Sequence, residues 1–281
     1  MRMMMFVKAA DNREGAGTMA AMGGLAARLR ACAALAILAV TSPVVTGPAV
    51  ARLPDANPPV AAPAVSYPRM APIEAYLMDR TQEVALARSA APASISRDAT
   101  ILVLTRTGYE TAVTGTNGFV CMVSRGFSGA PDWPERWNPK IRAAECQNPQ
   151  AARSVAPVAR LRTDMTLAGR SDAEILDRIK AALRTRAIPP LEAGAMSYMM
   201  SKASYLQDEG DHSMAHVMFF VPFKDGVSWG ANASGSPVMG GNYWFFTPGH
   251  DADTAALPPL SVLIVGVTSW SDGTPAPMHR M

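Results

Sequence analysis

The chain has 281 residues, with 26 Lys and Arg against 23 Asp and Glu. Five of those cations and two of those anions lie in residues 1–51, so the rest carries 21 of each sign and no net field to hold a nucleic-acid backbone or an anionic membrane. Nucleic acid is therefore excluded as the default partner, and the roughly 210 residues beyond the first 70 suffice for one well-buried domain.

Residues 1–51 read as a secretory signal peptide. Arg2, Lys8, Arg13, Arg28 and Arg30 precede an uncharged, weakly apolar run over 31–45, and Ala49-Val50-Ala51 supplies the small residues of a cleavage site. The run is shorter than the about 20 residues of a membrane span and contains Pro43, so no transmembrane segment is expected in the mature chain. The expected location is periplasmic or secreted. Cys32 leaves with the signal, and the remaining pair, Cys121 and Cys146, is expected to form a disulfide in an oxidising compartment, two buried thiols being the alternative. Such a bridge closes a loop of about 26 residues and contributes roughly 3 kcal/mol in the chain-entropy model. Pro54, Pro58, Pro59, Pro63 and Pro68 make 52–71 an extended Pro/Ala-rich linker.

A single α+β domain is expected over 72–281, with a largely antiparallel sheet and two or three helices. Pro72 suits the first position of a helix that ends before Pro92, with Ile73, Tyr76, Leu77, Val84 and Leu86 on one face. Apolar β-rich runs over 100–105, 109–114 and 119–125 predict an antiparallel meander, with Asn117-Gly118 in a tight hairpin. Residues 126–150 hold four prolines and read as an irregular loop, pinned by the disulfide. Val158, Leu161 and Met165 suggest a short helix ending near Gly169, and Ser171 with Glu174 forms a capping box that opens a second helix, ending before Pro189-Pro190. Runs over 195–201, 216–222 and 260–267 complete the expected strands, with a Gly, Asn, Ser and Pro-rich connection over 224–259.

Candidate chemistry is sparse. His212 and His216, near Asp208, Glu209 and Asp211, are candidate metal ligands, and with His250 they are the candidate acid-base or metal set of a hydrolase. Met218-Phe219-Phe220-Val221 argues that His216 opens a strand, where residues four apart lie about 13 Å apart, so only a bent loop brings the two rings together. Trp229, Asn232, Asn242, Tyr243 and Trp244 mix aromatic faces with amides and are candidates for binding a small polar ligand, which predicts Trp229 and Trp244 exposed around a cleft. Gly126-Phe127-Ser128-Gly129 follows a strand as a nucleophile elbow does, but lacks the second Gly of that motif. Met196, Met199, Met200, Met214 and Met218 occupy apolar positions and read as core fillers rather than copper ligands. No Walker loop, dinucleotide fingerprint, His-Glu-x-x-His or Cys-x-x-Cys pair occurs, so no cofactor is named.

Residues 115–123 (Gly-Thr-Asn-Gly-Phe-Val-Cys-Met-Val), 196–201 (Met-Ser-Tyr-Met-Met-Ser) and 270–278 (Trp-Ser-Asp-Gly-Thr-Pro-Ala-Pro-Met) resemble segments of a family of predicted-secreted proteins from proteobacteria and related soil bacteria. The resemblance runs from about Pro72 onward and implies export and a common fold. It carries over no catalytic residue. The expectation from sequence is an exported protein that binds a small polar or envelope-derived ligand, with a periplasmic metal-dependent or acid-base hydrolase and a structural envelope protein as the alternatives.

Overall fold

A computed structural model describes residues 67–209 and 212–277. The signal expected over 1–51, residues 52–66 of the linker, and Asp211 lie outside the described residues. The strands are β1 (Thr100–Thr105), β2 (Gly108–Val113), β3 (Val120–Ser124), β4 (Ala143–Gln147), β5 (Met196–Met199), β6 (His216–Val221), β7 (Val238–Asn242) and β8 (Ser261–Gly266). They form one sheet in the order β2-β1-β3-β4-β5-β6-β8-β7, antiparallel except where β3 runs parallel to β1. The helices among the described residues are α1 (Arg80–Arg88), α2 (Ala93–Ser96), α3 (Pro149–Ser154), α4 (Ala156–Leu167), α5 (Asp172–Arg184) and α6 (Asp251–Thr254). The α+β class is as the sequence predicts. The helices outnumber the two or three expected because α2 and α6 are four-residue turns and α3 abuts α4.

The predicted meander is instead a hairpin followed by a crossover. β1 and β2 pair, and residues 114–119 then pass beneath the start of β1 and deliver β3 to its other side. The amides of Thr116 and Asn117 donate to the Asp98 carbonyl during this passage. Gly115 is required there, since a Cβ would lie 2.2 Å from the carbonyl carbon of Ala99. Asn117 makes no hairpin: its amide nitrogen donates to Ile95 O and its carbonyl oxygen accepts from Phe119 N–H, holding the crossover in place.

The first helix also starts later than Pro72, which leads only a short turn over Ile73–Ala75. Asp79 accepts hydrogen bonds from the amides of Thr81 and Gln82 and so caps α1. Tyr76, read as part of the helix face, is instead fully buried ahead of it and donates to Trp137 O at 2.8 Å. The loop expected over 126–150 contains β4, which pairs with β3 along its whole length. Cys121 and Cys146 face each other across that pair with Cα atoms 3.9 Å apart, and the disulfide staples two strands at the base of the excursion. The helix pair appears as α4 and α5, and the capping box is reciprocal: Ser171 Oγ accepts from Glu174 N–H and Glu174 Oε2 from Ser171 N–H. None of the helices among the described residues is long and apolar enough to cross a membrane.

Alternation along the strands gives the sheet two different faces. Ile101, Val123, Cys121, Cys146, Ala144 and the half-buried Tyr198 form one face, packed with Ala87, Ala90 and Ala91 of α1 and the turn that follows it. Small side chains let this layer close tightly. The opposite face starts with Leu102, Leu104 and Met122, packed against Tyr76, Phe127 and Ala159. It continues across β4 to β8 as the wall of a cavity beneath α4 and Val155, the residue that leads into it.

Candidate functional site

The cavity forms where the sheet splays. β4 and β5 share only two residue pairs, Cys146 with Tyr198 and Gln147 with Ser197. Leu206 and Met214, from the connection between β5 and β6, join the lining. Every second residue of β4, Ala143, Glu145 and Gln147, points into the cavity, followed by Met199 of β5, then His216, Met218 and Phe220 of β6, Val262 and Ile264 of β8, and Met239 of β7. Val155, Ala159 and Arg162 line it from the α3–α4 side, and Ser128, Gly129 and Trp133 from the excursion after β3. Its volume is about 620 Å³, within the range of small-molecule sites.

Most of this surface is apolar. The four methionines present flexible thioether chains that adapt to a guest of irregular shape. The lining runs from sealed residues, Glu145, Gln147 and His216, to the exposed Asn232, Asn242 and Phe246, which places the mouth beside β7. The rim near Phe246 is fixed by Asp132, whose carboxylate accepts from the amides of Phe246 and Thr247, both at 2.7 Å. Those donors, with the Thr247 hydroxyl, hold the Asp132 carboxyl below the usual carboxylate range despite partial burial.

The polar groups of the interior are few. Glu145 is buried, accepting from the Ser124 hydroxyl and from Gln147 Nε2 at 3.2 Å, and burial pushes its pKa up. Gln147 Oε1 and the neighbouring Ser197 Oγ are buried without partners. Ser128 is no elbow nucleophile in this geometry: its hydroxyl lies 2.9 Å from that of Thr163, which in turn donates to Ala159 O. Burial also pushes the Tyr243 phenol up to about 12.

Arg162 of α4 is 4% exposed, and its guanidinium lies 5.1 Å from the ring centre of Tyr243 and 5.7 Å from that of Trp244. Its one hydrogen bond is a long contact of 3.5 Å to Tyr243 O, and among the described residues it has no carboxylate partner. Burial lowers its pKa and the nearby Tyr243 opposes the shift. Sequence reasoning missed this residue, although a signal exists: Arg162 follows the buried Val158 and Ala159 by four and three positions and so falls on the apolar stripe of its helix.

The histidines do not converge. His212 is exposed, stacks on Tyr205 at 4.3 Å and contacts Gln207 O through Nδ1. His216 is buried, with Nδ1 2.8 Å from Met214 O, and desolvation lowers its pKa. His250 stacks on Phe245 at 4.0 Å, with Nδ1 2.9 Å from Asp253 and Nε2 3.5 Å from Asp132. Among the described residues no three His, Cys, Asp or Glu side chains are grouped to hold a metal ion. Asp208, expected beside them, is occupied by Tyr67, Tyr205, Asn138 and Lys140, which hold its carboxylate far below the usual range.

Of the ligand-binding candidates, Asn232, Asn242 and Tyr243 line the cavity. Trp229 and Trp244 do not frame its mouth. Trp229 is 52% exposed and packs beside Phe223, away from the cavity wall. Trp244 is 2% exposed and its indole N–H donates to Pro258 O, so it is a core residue behind Arg162. A second cleft of about 580 Å³ lies on its far side, walled by Pro189, Pro190, Pro222, Pro258 and Pro259. No buried polar atom without a partner faces that cleft, which sets it apart from the first.

No family model, curated protein or solved structure matches the chain. The reading of the site therefore rests on its geometry.

Proposed function

We propose that this is an exported binding protein whose ligand is a small, largely apolar molecule with a polar end, held in the cavity between the sheet and α3–α4. One observation carries the reading: a 620 Å³ cavity lined by Met199, Met214, Met218, Met239, Phe220 and Ile264 lies against a sheet whose opposite face is closed by Ala87, Ala90 and Ala91 packed on Cys121 and Cys146. Apolar walls of that extent gain contact energy when an apolar guest covers them. Export is supported by the signal-like N-terminus and by a disulfide sealed in the core, the kind of bond that persists in oxidising compartments. The apolar lining shifts the expected guest from the polar ligand suggested by sequence towards an envelope-derived, lipid-like one.

The hydrolase reading receives less support, because the three histidines occupy separate environments and the buried serine is committed to Thr163. The test is titration of the mature protein with 1-aminoanthracene, a neutral apolar fluorophore. One site per chain is expected, lost in Met218→Trp, whose indole fills the cavity from β6. Absence of binding to the wild type, or undiminished binding to the variant, removes the proposal.

A further inference from the structure

Three arginines are buried in the described domain, and two of them are matched. Arg125 pairs with Glu83 at 3.0 Å and also donates to the carbonyls of Tyr76 and Val123. Arg136 pairs with Asp172 at 2.5 Å. Arg162 has neither a carboxylate nor a short hydrogen bond, although a guanidinium offers five N–H donors. A buried cation without a counter-ion is costly, and folded proteins normally pair it. Arg162 is among the residues that line the cavity, which gives an anion room beside it.

We infer that the cavity binds an amphiphilic monocarboxylate of the fatty-acid type, its carboxylate on Arg162 and its chain along Met199, Met214, Met218 and Met239. This rests on the reading of the cavity as a ligand site. The guanidinium fork matches a carboxylate in a bidentate arrangement. A single guanidinium neutralises a single charge, and a phosphate dianion would leave net charge buried. The Tyr243 and Trp244 rings lie 5.1 and 5.7 Å from the guanidinium carbon and take up none of its charge-paired hydrogen bonds. The other carboxyl in the cavity, Glu145, is favoured in its neutral form by burial and so opposes an incoming anion less than a charged group would.

Calorimetric titration of the mature protein at pH 7 with dodecanoate and with dodecanol, below their aggregation thresholds, tests the head group with the tail held constant. Dodecanoate is expected to bind at least ten times more tightly, and Arg162→Gln is expected to erase that preference while leaving dodecanol affinity unchanged. Equal affinities in the wild type, or a preference that survives in Arg162→Gln, overturns the inference. Should Arg162→Gln fail to fold by circular dichroism, Arg162→Lys replaces it, keeping the charge but not the fork. Weaker dodecanoate with unchanged dodecanol is then expected, and unchanged affinity for both overturns the role of the guanidinium. If neither alkyl probe binds while 1-aminoanthracene does, the head-group inference fails and the cavity reading stands. If none of the three binds, both fall.

Discussion

The surroundings of Arg125 and Arg162 show how one fold treats the same buried side chain in two ways. Around Arg125, β1 and β3 pair only at Thr100 and Ile101 and then diverge, which leaves the Leu104 amide without a strand partner. Glu83 of α1 fills the gap: its Oε1 accepts from Leu104 N–H at 3.1 Å and from Arg125 Nη2. Arg125 in turn ties the Tyr76 turn to β3. The charge there closes a structural latch between α1, β1 and β3. Around Arg162, no acid among the described residues lies within ion-pair distance, and the side chain borders the cavity. Both arginines line the cavity, but only Arg125 has a carboxylate partner among the described residues, and that difference is the one on which the proposed anion site rests.

The largest expected effect breaks the first of these regions. Arg125→Met leaves the Glu83 carboxylate buried without its counter-charge, and removing one partner of such a pair costs about 3–5 kcal/mol. Urea denaturation followed by circular dichroism should show that loss. A loss below about 1 kcal/mol, the value of an exposed pair, would mean that the latch is not formed in solution. Next in size is the staple below it. Cys121→Ser with Cys146→Ser should cost about 2–5 kcal/mol, and reductant should destabilise the wild type but not the double variant.

Gly115 comes third. A side chain there enters the backbone of Ala99 and Thr100, so Gly115→Val should force the crossover away from β1 and cost about 1–3 kcal/mol. The midpoint of thermal unfolding reads this directly, and an unchanged midpoint would mean that 114–119 does not pass beneath β1.

The cavity's own titrating groups give smaller and opposite effects. His216 has a lowered folded-state pKa, so as pH falls through its ordinary value of 6.5 the unfolded chain takes up a proton that the folded chain resists. Stability should therefore fall below pH 6.5 at up to about 1.4 kcal/mol per pH unit, and His216→Gln should flatten that limb. Glu145 has a raised pKa, so stability declines as pH rises above 4.5 towards the folded-state value. Glu145→Gln removes that decline and should raise stability at pH 7, because the Gln147 amide can turn its partnerless oxygen towards the new NH₂ group. Stability curves from pH 4 to 8 for the two variants should diverge in opposite senses, and parallel curves would contradict both assignments.

How much of this was legible in sequence follows the same division. The capping box of α5 and the apolar runs of β6 and β8 are local signals, and they predict their elements within a few residues. β4 is invisible as a strand because its cavity-facing positions, Glu145 and Gln147, are polar, although Ala144 and Cys146 alternate with them towards the sealed face. β7 hides behind Gly240, where a Cβ would meet Ala231 and Leu263 at 2.9 Å. The meander failed for a topological reason: the residues of a crossover and of a hairpin look alike until the Asp98 carbonyl is seen to hold the passing chain. The aromatic candidates were drawn to one loop, but a tryptophan's exposure depends on what the loop packs against, and Trp244 packs inward.

The smallest expected effect is the one that separates the two arginines. Arg162→Met removes a guanidinium that has no ion pair to lose, and exchanging such an uncompensated charge for an apolar chain of similar length should cost less than about 1 kcal/mol or raise stability. The same substitution at Arg125 is expected to cost several times more. Paired urea curves for Arg125→Met and Arg162→Met, recorded on ligand-free protein, check this difference. Equal losses would mean that Arg162 serves the fold as Arg125 does, through the aromatic faces of Tyr243 and Trp244. A loss at Arg125 alone leaves Arg162 with no structural duty, the outcome that the proposed anion site requires.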